Sequence, residues 1–103
     1  MINNEKEPLV CSLTNVELNE RKMIIEKFKS LIHEKNEIEN GMVFKFAGND
    51  GNLEEIMNLV KLERKCCAFL TFDVKVQKDA YPLQLTISGP DGTKDFLIHE
   101  LGL

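Results

Sequence analysis

From Leu53 to Val60 the apolar residues of this chain recur at every third or fourth position, whereas from Leu70 to Val76 they recur at every second. That change of period limits the fold more than any other feature, because side chains two apart share one face of a strand and those three or four apart share one face of a helix. Leu70, Phe72, Val74 and Val76 alternate with Thr71, Asp73, Lys75 and Gln77, which predicts a strand. Leu83, Leu85 and Ile87 against Gln84, Thr86 and Ser88 predict a second, its hairpin partner across a loop from Lys78 to Pro82.

Upstream, Leu9, Cys11 and Leu13 fall on one face of a short alternating run, a predicted first strand. Thr14 and Glu17 match a capping box, and Leu18, Ile25, Phe28 and Ile32, widened by Ile24 and Leu31, predict a helix to about Lys35. Arg21 interrupts that stripe near its start. Asn40-Gly41 is a turn signal, and Met42, Phe44 and Phe46 share one face of a strand running to Ala47. Asn52 with Glu55 three residues later predicts the start of a second helix. Its stripe is Leu53, Ile56, Met57 and Val60, and the same spacing continues to Glu63 and Cys67 with Cys66 on the shoulder. After Gly89-Pro90-Asp91-Gly92, read as a tight turn, a short helix is expected from Thr93 to about Leu101.

The expected order is βαβαββα: an α+β two-layer sandwich with a mostly antiparallel four-stranded sheet and helices on one face. At 103 residues, 43% of them hydrophobic, there is room for one core and no second domain. Residues 9–103 form that domain, and residues 1–8 are expected to be a flexible N-terminus. A net charge of -4 leaves no basic excess for phosphates, so neither nucleic acid nor an acidic membrane surface is an expected partner. No stretch has the ~18 apolar residues of a spanning helix, and the polar start lacks a signal-peptide run, so a cytoplasmic location is expected.

The chemistry-bearing stretch is Glu63-Arg64-Lys65-Cys66-Cys67, where the second helix gives way to a strand. Adjacent Cα atoms are ~3.8 Å apart, below the ~4.4 Å lower limit usual for a disulfide, so a Cys66 to Cys67 bridge is not expected and reduced thiols are. Glu63 lies three residues from Cys66 and four from Cys67, hence beside both on a helix. If Cys11 faces the helix layer, it can meet Cys67 there. A nucleophilic cysteine needs a helix N-terminus or a facing cation. These sit at a helix C-terminus beside a carboxylate, which disfavours a thiolate, and no cationic partner is evident in the sequence. A soft cation would supply the positive charge, so Cys11, Cys66, Cys67 and Glu63 are the candidate ligands for Zn, Hg or As(III). Burial of Cys11 and Cys67 as plain core residues is the competing reading.

The chain resembles a group of small bacterial proteins sharing Glu-Arg-x-Cys-Cys-x-Phe-x-x-Phe, here Glu63-Arg64-Lys65-Cys66-Cys67-Ala68-Phe69-Leu70-Thr71-Phe72. The resemblance extends to Cys11 before the capped helix and to Ser88-Gly89-Pro90-Asp91-Gly92-Thr93 leading to Phe96-Leu97. It departs at Ala68, where such proteins often have proline. The resemblance implies a setting of heavy-metal or arsenic resistance and no particular activity. The leading expectation is a small thiolate-based metal or metalloid binding protein with no organic cofactor. The alternatives are a thiol-dependent reductase or metal-transfer enzyme attacking through Cys66, and a non-catalytic protein-interaction module.

Overall fold

The computed structural model describes residues 15–103, in the order α1 (Asn15–Leu31), β1 (Ile32–Ile38), β2 (Gly41–Phe46), α2 (Asp50–Cys66), β3 (Thr71–Lys75), β4 (Leu83–Ser88) and α3 (Thr93–His99). The strand expected over Leu9–Leu13 and the expected flexible segment 1–8 lie outside the described residues. The class is α+β with an open four-stranded antiparallel sheet, as the patterning predicts. The element order among the described residues is αββαββα, and the strand that differs is β1.

The first helix stops at Leu31, short of the expected Lys35, and the chain turns directly into β1. Glu39 and Asn40 join β1 to β2, with Asn40 in the left-handed region at φ 58°, which asparagine tolerates better than most residues. Ile38 pairs with Gly41 and Lys35 with Phe44 across that hairpin. The sheet order is β1-β2-β4-β3, so β2 and β4 are central. The β3 and β4 hairpin forms as expected, with Phe72 opposite Ile87.

One face of the sheet is apolar. Met42, Phe44 and Phe46 of β2 and Leu83, Leu85 and Ile87 of β4 are buried, while Lys45, Gln84 and Thr86 point to the other side. The helices cover the apolar face. Phe28 of α1 meets Phe44 edge-on at 5.6 Å between ring centroids and Phe46 at 5.2 Å. Phe96 of α3 meets Phe69 edge-on at 4.9 Å, and Leu97 is fully buried. Lys35 donates to the Leu103 carbonyl at 2.8 Å, tying the end of the chain to β1.

The second helix begins earlier than expected. Asn49, not Asn52, is the N-cap, and its side chain accepts from the Asn52 backbone N–H at 2.8 Å. Its inward face carries Ile56, Leu59, Val60, Glu63 and Cys66, so the apolar stripe delivers a carboxylate into the core at its last turn. The Gly89 to Gly92 turn is held by Thr93, whose hydroxyl donates to the Pro90 carbonyl at 2.7 Å.

Candidate metal centre at the end of α2

Three potential ligands come together where α2 ends. Cys66 is its final residue and Cys67 its C-cap, with the Cys67 backbone N–H donating to the Glu63 carbonyl at 2.7 Å. The Cys66 and Cys67 sulfurs are 3.5 Å apart. Glu63 Oε1 lies 3.3 Å from Cys67 Sγ and 3.7 Å from Cys66 Sγ. All three residues are buried, Glu63 and Cys67 completely. Cys66, expected on the outer shoulder near solvent, is buried instead, with 7% of its surface exposed. The helix ends there in a tight turn, the Leu70 backbone N–H donating to the Cys67 carbonyl at 3.0 Å, and Leu70 is itself buried.

The residue that sequence reading did not place in the site is Arg21. Its Nε donates to Glu63 Oε2 at 2.8 Å and its Nη2 to Oε1 at 3.1 Å, a bidentate ion pair across 42 positions of sequence. Nη2 also lies 3.9 Å from Cys67 Sγ. The expectation that the cysteines lack a cationic partner is therefore overturned, because the cation arrives from α1 and not from the neighbouring Arg64 and Lys65, which are exposed. The signal was in the sequence: Arg21 sits three residues after Leu18 and four before Ile25, inside the apolar stripe of α1. Burial works against the charge of Arg21, but its hydrogen bond to Glu63 and the carboxylate charge outweigh that and hold its pKa above the ordinary value. Arg21 also lines a groove between α1 and the end of α3, beside Ile25, His99 and Leu101, which is the solvent side of the pair.

The Cys66 thiol is pushed up from 9.0 to about 11, chiefly by burial and then by the Glu63 charge, with Arg21 opposing. A reactive thiol needs the opposite shift. Because the folded chain holds this proton more tightly than the unfolded one, the thiol's contribution to stability is complete below pH 9 and is lost as pH rises toward 11. Two pH units correspond to about 2–3 kcal/mol. Urea titrations of wild type should show that decline between pH 9 and 11, and Cys66→Ser should flatten it; parallel curves for the two proteins would count against the assignment.

Cys66 is a free thiol, and no bridge joins it to Cys67, as adjacency predicts. Cys67, in contrast, is disulfide-bonded, where a reduced thiol was expected. Cys11 lies outside the described residues. Among the described residues Glu63, Cys66 and Cys67 form a group that could hold a metal ion, one donor atom from each lying within 4.8 Å of the others. No described helix is long and apolar enough to cross a membrane. Comparison of the chain with protein-family models, curated proteins and solved structures finds no match.

Proposed function

We propose that this is a small cytoplasmic metal-binding protein whose reduced form holds one thiophilic divalent ion through Cys66, Cys67 and Glu63. The observation that carries the reading is the set of three donor separations, 3.5, 3.3 and 3.7 Å. With metal to sulfur bonds of ~2.3 Å and a metal to oxygen bond of ~2.1 Å, those separations correspond to angles at the ion of roughly 100°, 97° and 114°. Three donors so spaced form one face of a near-tetrahedron. A fourth position is left for water or another thiolate, for which Cys11 is the sequence candidate.

Charge supports a divalent ion. Buried charge is tolerated only when compensated. Arg21 balances Glu63, so the protonated thiols leave the site neutral, and one divalent ion replacing two thiol protons keeps it neutral. The competing view, that the cysteines merely fill the core, accounts for sulfur packing but not for a fully buried carboxylate 3.3 and 3.7 Å from two sulfurs. The resemblance to proteins from heavy-metal and arsenic settings points the same way.

The test is native mass spectrometry of the reduced chain with Zn²⁺, Hg²⁺ or As(III), with pH indicator dye in parallel. One Zn²⁺ or Hg²⁺ should bind with release of about two protons at neutral pH, and As(III) should bind more weakly because these residues offer it only two sulfurs. Joint replacement Cys66→Ser with Cys67→Ser should abolish binding. Unchanged stoichiometry and affinity in that variant would remove the proposal.

A further inference from the structure

The Cys67 sulfur has two roles that exclude one another. It is one vertex of the donor triangle, 3.5 Å from Cys66 Sγ and 3.3 Å from Glu63 Oε1. It is also half of a disulfide. A metal ligand must be a thiolate, and a sulfur already bonded to another sulfur carries no such charge. We propose that the centre is redox-gated: reduction of the Cys67 disulfide by a dithiol opens the metal site, and reoxidation closes it and releases the ion. This rests on the metal-binding reading above and specifies its regulation.

One thiolate of the dithiol attacks the sulfur bonded to Cys67, forming a mixed disulfide and breaking the bond to Cys67, which departs as the leaving thiolate and takes a proton. The second thiolate of the dithiol then displaces the remaining protein sulfur, giving a cyclic disulfide of the reagent and two protein thiols. Two electrons and two protons pass to the protein. A disulfide of higher reduction potential than the protein's reverses the sequence, taking up the two electrons and two protons.

Cys66 does not perform the reduction itself, because attack on Cys67 would close a bridge between adjacent residues whose Cα atoms are ~3.8 Å apart. Its part is local. As the free thiol 3.5 Å away, it is the hydrogen-bond donor to the departing Cys67 sulfur, and Arg21 Nη2 at 3.9 Å supplies a positive charge on the same atom. When the disulfide is closed only Cys66 and Glu63 remain as donors among the described residues. Two donors do not define a tetrahedral face.

The full chain is purified without reductant and divided. One half is reduced with dithiothreitol, which is removed by desalting under nitrogen. The sequence contains three cysteines, so thiol counting after denaturation should give one free thiol in the first sample and three in the second. Zn²⁺ titrated against a chromophoric chelator should bind the reduced sample with one equivalent and the oxidised sample at least ~100-fold more weakly, since a direct ligand is lost. Excess oxidised glutathione, a disulfide of higher reduction potential than that of dithiothreitol, added to the zinc-loaded protein should release the ion. Equal zinc affinity in the two samples would overturn the gating and leave the metal site standing. Absence of zinc binding in both would overturn the metal reading, and the gating with it. Three free thiols before reduction, or loss of the folded circular-dichroism spectrum on reduction, would overturn the gating alone. Cys66→Ser supplies a control that needs no redox change: it should keep the Cys67 disulfide yet show weak zinc binding in either state.

Discussion

Arg21→Met should destabilise the fold by about 3–5 kcal/mol, the cost of leaving a buried charge without its partner. Glu63 is fully buried and Arg21 is the cation on both of its oxygens, at 2.8 and 3.1 Å. Methionine keeps most of the side-chain volume and removes the charge, so the effect is electrostatic more than steric. The reverse truncation, Glu63→Gln, should cost less, because Arg21 retains 13% side-chain exposure and can turn its guanidinium toward the groove between α1 and α3. Combining Arg21→Met with Glu63→Leu should recover most of the loss, since removing both charges removes the need for compensation. Urea unfolding of the four proteins measures all three values. A loss below about 1 kcal/mol for Arg21→Met would mean that water reaches Glu63.

Phe28→Ala should cost about 3–5 kcal/mol. Phe28 is wholly buried and fills the space between α1 and the centre of the sheet against Phe44 and Phe46. Those neighbours sit on β2, which is paired on both sides and cannot collapse inward without breaking its register. A cavity would therefore remain. Phe28 is also two turns along α1 from Arg21, so loosening this anchor should weaken the grip on Glu63 and, under the proposed function, lower zinc affinity without touching a ligand. A shift in the urea midpoint equivalent to under 1 kcal/mol would show that α1 is held by other contacts.

The helical stripes and the alternating strands were legible because each has one wet and one dry face, which the spacing of Ile56 and Val60 or of Leu83, Leu85 and Ile87 records directly, although Met57, read into the α2 stripe, is exposed and Leu59 takes its place in the core. The strand β1 was not. Of Ile32-His33-Glu34-Lys35-Asn36-Glu37-Ile38 only Ile32 is even partly buried, so no period marks the run, and Leu31 and Ile32 continue the helical spacing of Phe28 closely enough to extend the helix. Pairing with β2 decides the matter, and Asn40-Gly41 was the available signal, since such a turn needs a strand before it as well as after. The site divides in the same way. Glu63, Cys66 and Cys67 were legible because helix geometry alone brings them together. Arg21 comes from a different helix, and no rule of local spacing links two residues 42 positions apart.

The edge strand has a significance beyond its being hard to see. An open sheet ends in unpaired backbone groups that invite any extended chain to add another strand. Here β1, one of the two edge strands among the described residues, presents His33, Glu34, Lys35 and Glu37 to solvent. A visiting strand would have to lay its side chains against charges of both signs and strip them of water. The same composition that hides β1 from hydrophobic patterning guards this edge of the sheet against strand addition, so exchanging Glu34 and Glu37 for valine would trade that protection for a sticky rim.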